Sequence, residues 1–226
     1  MIVDMVDPAT SARTGFWILP GFLDRAQQDS FVEHARQLGR VAPFMHPRMR
    51  NGTPLSVKVS SFGQRGWWAD EQGYRYVENP RFPPLPSAIL SATVGALEET
   101  GDDGGLAEHT HGIDTCLVNL YQPGAQLGWH VDQTERDRTS PIVTFSIGAS
   151  CVFWIDLGPE GEAVRYRHTL RSGDAVVMAG PARLARHQVT NVHADEPDLF
   201  SQVYNPISQS APGVRLSFTV RRTGWA

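Results

Sequence analysis

The apolar positions of the chain change period once along its length. From Asp24 to Leu38, the residues Phe31, Val32, Ala35 and Leu38 recur at helical spacing, with Asp24 placed as an N-cap and Gly39 just past the stripe. This predicts a one-faced helix. A second helix is predicted from Ser87 to Thr100, with Ile89, Leu90, Val94 and Leu97 as its stripe and Gly101 at its stop. Beyond the polar run Gly101-Asp102-Asp103-Gly104-Gly105 the period falls to two, or to short apolar runs. Strands are predicted at Thr115–Tyr121, Ile142–Ile147, Cys151–Leu157, Val164–Leu170, Ala175–Met178, Ala185–Val189 and Arg215–Val220. Residues 1–14 show no periodicity and read as a mobile tail. Two helices followed by seven or eight antiparallel strands predict an α+β, mainly β fold, its helices packed on one side of a sandwich or jelly roll.

Composition narrows the picture. A chain of 226 residues with 41% hydrophobic and 19% charged positions fits one domain with a sizeable core, and excludes collagen, coiled coil and wholesale disorder. No apolar run approaches the roughly 20 residues of a membrane span. The start, Met1-Ile2-Val3-Asp4, carries an acid where a signal peptide is basic, so a cytoplasmic monomer with no membrane association is expected. Cys116 and Cys151 lie in apolar runs and read as buried reduced thiols. A net charge of -4 argues against a strongly basic, non-specific DNA binder. It leaves room for a local basic groove, because Lys58 is the only lysine and arginine supplies the other cations.

The candidate chemistry lies in the strand-rich half. In His130-Val131-Asp132 an imidazole and a carboxylate stand two residues apart, so in extended chain both point to one side. His187, within Leu184-Ala185-Arg186-His187-Gln188-Val189, is a third ligand candidate. Two imidazoles and one carboxylate on one face of an octahedron form the arrangement of non-haem Fe(II) oxygenases, although zinc accepts the same set. His109-Thr110-His111 is a weaker metal candidate and reads as an exposed loop.

Two strands suggest what shares that cavity. Alternation in Arg215-Leu216-Ser217-Phe218-Thr219-Val220-Arg221 puts Arg215, Ser217, Thr219 and Arg221 on one face. An edge strand with its polar face in water gives the same pattern. An interior strand would instead turn two guanidiniums into the lumen, where a dianionic acid is the natural guest. In Thr115–Tyr121 the residues Leu117, Asn119 and Tyr121 share a face, and an amide and a phenol there either bind a carboxylate or satisfy neighbouring backbone at the turn Gln122-Pro123-Gly124.

Together, Leu117 to Ala125, His130-Val131-Asp132, His187 and the Arg215/Arg221 pair resemble the AlkB family of Fe(II)- and 2-oxoglutarate-dependent dioxygenases, close to bacterial AlkB. Gly66-Trp67, Gln72-Gly73-Tyr74-Arg75-Tyr76, Pro141-Ile142-Val143 and Gly173-Asp174 extend the likeness from about Phe16 to Gly224. The resemblance implies a double-stranded β-helix as a single dioxygenase domain over 15–226, with helices and a nucleotide-recognition lid in 15–112 and a jelly-roll core in 113–226. It implies Fe(II) on His130, Asp132 and His187. It further implies 2-oxoglutarate held by Arg215 with Asn119, Tyr121 and Ser217, Arg221 supporting the end near the metal, and dioxygen as co-reactant. Oxidative decarboxylation to succinate and carbon dioxide then drives hydroxylation of an N-alkyl group on a nucleobase, releasing formaldehyde.

By the same resemblance the partner is alkylated nucleic acid, single-stranded DNA first, with RNA, nucleosides or a non-nucleic substrate as alternatives. Trp67, Tyr74 and Tyr76 are candidates to clamp an unstacked base, with Arg75 and Thr134 at the substrate. His46-Pro47-Arg48-Met49-Arg50 and Lys58 are candidates for phosphate contact. Three positions depart from the family pattern: Thr134 stands where bacterial AlkB has an acid, Ser217 stands where Arg-x-Asn is usual, and Leu157 to Glu162 replaces a basic loop. A jelly-roll module that holds metal without turnover is the reading from a different class.

Overall fold

The computed structural model describes residues 3–6, 13–101, 111–158, 161–193 and 213–225. Thirteen strands and two helices are described there. The strands are β1 (Val3–Val6), β2 (Arg13–Leu19), β3 (Lys58–Gly63), β4 (Arg65–Asp70), β5 (Gly73–Glu78), β6 (Thr115–Tyr121), β7 (Leu127–His130), β8 (Ile142–Gly148), β9 (Ser150–Leu157), β10 (Val164–Leu170), β11 (Ala175–Met178), β12 (His187–His193) and β13 (Arg215–Arg221). The helices are α1 (Arg25–Val41) and α2 (Ser87–Glu99). A seven-stranded sheet in the order β1-β2-β11-β8-β13-β6-β3 faces a four-stranded sheet in the order β10-β9-β12-β7, and β4 and β5 form a separate hairpin. This is the jelly roll expected, with helices on one side.

Alternation explains the layers. On β13, Leu216, Phe218 and Val220 point out to the helices and pack with Phe31 and Leu38 of α1 and Ile89 and Leu97 of α2. The opposite face of the large sheet supplies Phe16, Ile18, Leu117, Tyr121, Val176 and Met178, which meet Phe153, Ile155 and Val189 of the small sheet. β13 lies between β8 and β6, so its polar face is interior and the edge-strand reading is excluded.

The structure corrects several boundaries. The segment read as a tail contributes β1, which pairs with β2 through Asp4↔Trp17, so the mobile-tail expectation fails for Val3–Val6. β1, β2 and β3 complete the large sheet, so the division of the chain at 112/113 is not a structural one. α1 starts at the expected Asp24 cap, a full capping box with Gln27, but runs through Gly39 to Val41. The predicted strand Ala185–Val189 begins later, at His187, because Gly180–Leu184 forms a 3₁₀ turn opened by Pro181, which cannot donate to a ladder. Gly63 (φ +99°) ends β3 where the chain leaves for the hairpin, and a Cβ there would lie 2.1 Å from the Asp114 carbonyl oxygen. Among the described residues no helix is long and apolar enough to cross a membrane. Cys116 and Cys151 are buried, as expected, and no disulfide joins them.

Phe31 fixes α1 to the sheet, its ring edge-on to Phe145 (5.4 Å) and Phe218 (4.9 Å). Phe31→Ala is expected to cost about 3–5 kcal/mol, the usual loss for a fully buried phenylalanine. Urea denaturation measures it, and a loss below about 1 kcal/mol would show that the helix is not anchored there.

Candidate active site

Between the two sheets lies a cavity of about 410 Å³. His130 at the end of β7, Asp132 two residues on, and His187 at the start of β12 converge on it, because β7 and β12 pair with His130 opposite His187. One ligand atom from each lies within 4.8 Å of the others, a grouping able to hold a metal ion. Each imidazole is oriented by its own backbone: Nδ1 of His130 meets the Gly128 carbonyl at 2.8 Å, and Nδ1 of His187 meets Ala185 at 3.0 Å. Those bonds select the tautomer that leaves each Nε2 lone pair free for a metal. Burial pushes the His187 imidazole down to about 4, so it is neutral at physiological pH. For Asp132 burial acts upward, but the charge of Arg221 leads the groups that outweigh it and hold the carboxyl well below its ordinary range.

Deeper in the cavity, β13 and β6 present Arg215, Ser217, Asn119 and Tyr121 side by side, with Ser217 opposite Asn119 and Arg215 opposite Tyr121. Asn119 donates to the Ser217 hydroxyl at 3.3 Å. Arg215 donates to Ser146 at 2.8 Å, but its Nε and one terminal nitrogen are buried without a protein partner. Burial pushes the Tyr121 phenol up to about 12, so it keeps its proton and can donate. An orphaned guanidinium beside a phenol and an amide suits a carboxylate.

The β4–β5 hairpin stands over the cavity. Trp67 and Tyr74 stack at 5.7 Å with 19° between their planes, and both line the cavity, Tyr74 being largely exposed. The Trp67 indole N–H donates to the Thr134 hydroxyl at 3.4 Å, linking the hairpin to the segment after Asp132. Within the expected lid, Gly66, Trp67 and Trp68 lie on strand β4.

Two expectations need correction. Tyr76 shares the hairpin face of Trp67 and Tyr74 but is not part of the cavity wall as a clamp; its hydroxyl donates to Glu135 at 2.6 Å. Arg75 is not at the cavity either, because its guanidinium forks onto Asp70 (2.6 and 2.7 Å). Arg221, expected to support the cosubstrate's end near the metal, lines the cavity and pairs with Asp132 at 3.1 Å and Glu135 at 2.5 Å. Of the phosphate candidates, Arg48 donates to the Gly52 carbonyl, His46 meets the Leu55 carbonyl, Arg50 lies against Gly73, and Lys58 is a half-buried strand residue. His111 is exposed, while His109 and Thr110 lie outside the described residues.

Sequence reading missed Glu135 and Arg183. Arg183, buried in the 3₁₀ turn, donates to the Asp132 carbonyl (2.7 Å), the Ser140 carbonyl (2.8 Å) and Glu135 (3.3 Å). The signal was present in Pro181-Ala182-Arg183-Leu184-Ala185, a lone charge in an apolar run.

A family model described as the 2OG-Fe(II) oxygenase superfamily matches residues 15–221. An "Alpha-ketoglutarate-dependent dioxygenase AlkB homolog" of Caulobacter vibrioides is 35% identical over 196 residues, covering 84% of each chain. The "Alpha-ketoglutarate-dependent dioxygenase AlkB" of Salmonella typhimurium is 31% identical over 185 residues, 80% of this chain and 82% of its own. Among solved structures, that of OsALKBH1 superposes with a TM-score of 0.72 at 24% identity, covering 93% of this chain and 97% of its own, a likeness of fold.

Glu135 is the shared anion of Arg221, Arg183 and Tyr76. Burial acts to raise its carboxyl, but Arg221 outweighs this and the net shift is downward. Glu135→Ala is expected to cost about 3–5 kcal/mol, because it strands buried guanidinium charge. A lowered folded-state pKa means the stabilisation is complete above the ordinary glutamate range and disappears as the pH falls through the folded value. The stability gap between the parent and Glu135→Gln, measured by denaturation, should therefore narrow in acid; a gap independent of pH would show that the carboxylate is not ionised in the fold.

Proposed function

The chain belongs to the 2OG-Fe(II) oxygenase superfamily and, within it, to the AlkB dioxygenases, and from that premise we propose that it oxidatively dealkylates bases in single-stranded DNA. One observation carries the reading: a stacked Trp67–Tyr74 pair stands over a cavity that also holds His130, Asp132 and His187. A planar, unstacked base enters such a site between an aromatic face and the metal ligands. When bound, Fe(II), 2-oxoglutarate and dioxygen supply the hydroxylation of an N-alkyl carbon, with succinate and carbon dioxide as by-products and formaldehyde released from a methyl lesion.

The residues divide the remaining work. His130, Asp132 and His187 would hold the iron, their Nε2 atoms and carboxylate already grouped. Arg215 would take one carboxylate of 2-oxoglutarate on its orphaned nitrogens, with Tyr121 and Asn119 donating beside it. Arg221 acts indirectly, through its ion pair with Asp132, and fixes the direction of that carboxylate. Thr134 serves as the hydroxyl on which the Trp67 indole rests, which positions the aromatic pair. The apolar walls, Leu117, Phe153, Val176 and Met178 among them, keep water from the reacting carbon.

Formaldehyde release from methylated single-stranded DNA, double-stranded DNA, RNA and nucleosides, compared side by side, tests the assignment. Single-stranded DNA is expected to turn over fastest, and no release from any of the four would overturn the reading. Arg215→Lys keeps a charge but loses the planar fork, so the apparent affinity for 2-oxoglutarate should fall by roughly one to two orders of magnitude; an unchanged affinity would place the cosubstrate elsewhere. Trp67→Ala should weaken substrate binding by about 1–3 kcal/mol, the worth of one base stack. Succinate formation without substrate should survive, and full demethylation by the variant would remove the tryptophan from base recognition.

A further inference from the structure

The outer face of the four-stranded sheet carries a second feature, built back-to-back with the metal ligands. Trp129 immediately precedes His130 and Arg186 immediately precedes His187, so as the imidazoles turn inward the preceding side chains turn outward. The guanidiniums of Arg186 and Arg165 lie over the Trp129 ring, 4.9 and 4.4 Å from its centre. Further along, Arg167 lies 5.8 Å from the centre of Trp154, whose indole N–H is held by the Thr190 hydroxyl at 3.2 Å. Arg165 is neutralised by a fork onto Asp156 (2.7 and 3.0 Å). Arg186 and Arg167 are exposed, and no carboxylate among the described residues pairs with them. The nearby loop acid Glu162 is exposed and makes no ion pair among the described residues.

We propose that this arginine–tryptophan face is a binding surface for the phosphodiester backbone of the nucleic-acid strand that delivers its base to the cavity. Three observations favour that occupant. Stacking on indole holds the guanidinium planes while leaving their N–H edges free, so little side-chain freedom is lost when a phosphate binds. The unpaired charge is positive, on a chain whose net charge is -4, which suits a polyanionic backbone. The surface is also continuous with the site, because Trp129 borders the cavity as well as bearing the two arginines. The proposal rests on the nucleic-acid reading given above, and assigns a surface to the nucleotides flanking the lesion.

The double variant Arg167→Gln/Arg186→Gln tests it, because glutamine keeps part of each stem and removes the charge. Binding of an unmodified single-stranded oligonucleotide of about 15 nucleotides is measured against salt concentration, alongside KM for a methylated oligonucleotide and for a methylated nucleoside. The expected result is oligonucleotide affinity lower by roughly an order of magnitude, and a log–log salt slope shallower by about 1.4, two phosphate contacts at about 0.7 each on single strands. Nucleoside KM and cosubstrate-only succinate formation should not change. The Lys/Lys variant should keep most of the salt slope, and DNA and RNA arms report whether the backbone contact distinguishes the sugars. A double variant that folds, dealkylates oligonucleotides and keeps the parental slope would overturn the surface while leaving the dealkylase reading intact. Conversely, a parent that releases no formaldehyde from nucleic acid yet binds single strands through these arginines would overturn the dealkylase reading and support the surface. Equal rises in oligonucleotide and nucleoside KM, with a lowered melting temperature, would make the stacks structural and overturn the proposal.

Discussion

A buried guanidinium without an anion is among the costliest features a protein interior can hold, and β13 brings two of them into one lumen. The fold resolves them differently. Arg221 is neutralised from within, by Asp132 and Glu135, and Arg183 joins Glu135 and the Asp132 backbone carbonyl from the 3₁₀ turn. Among the described residues Arg215 has only a serine hydroxyl as hydrogen-bond partner, and the cavity it lines also holds Tyr121 and Asn119. One arginine has become part of the frame that orients the Asp132 carboxylate, and the other keeps donors turned to the cavity. The difference between the two ends of the cavity follows from that asymmetry.

The same charge network sets the position of the hairpin. Tyr76 reaches down from β5 to Glu135, and Arg221 donates to that phenol at 3.3 Å. Trp67, opposite Tyr76 in the hairpin register, carries the aromatic stack and rests on Thr134. The hairpin is thus tied at two points to the segment between Asp132 and Glu135, the segment that also supplies a metal ligand. Displacing the carboxylate of Glu135 would disturb the orientation of Asp132 and the seating of the aromatic pair together, because both contacts run through Arg221 and Tyr76.

Local pattern was a good guide wherever one face of an element is apolar. The Asp24 cap, the start of α2 at Ser87, and strands β6, β10 and β11 lie where periodicity and capping chemistry put them. β13 ends one residue beyond the predicted span. Elements without that contrast were not legible. β1 is four residues long and paired on one side; β4 and β5 carry tryptophan and arginine on both faces; β7 is four residues ending in His130. Short strands with mixed faces are defined by their partners, and pairing partners are not written in local sequence.

The division at the site has the same cause. Residue type and spacing alone determined that His130 and Asp132 could serve one ion, that Arg215 and Arg221 share a face with Ser217 and Thr219, and that Asn119 and Tyr121 stand side by side, because a strand period of two assigns faces without reference to the rest of the chain. Tertiary structure alone decided which groups meet. Arg221 finds Glu135 across 86 positions of sequence, Tyr76 finds it across 59, and Trp67 reaches Thr134 across 67. Alternation fixes the direction in which a side chain points, whereas charge pairing depends on distances set by sheet order. For that reason the chain alone made Arg215 and Arg221 look equivalent, and only the packed sheets paired one with carboxylates and left donors of the other turned to the cavity.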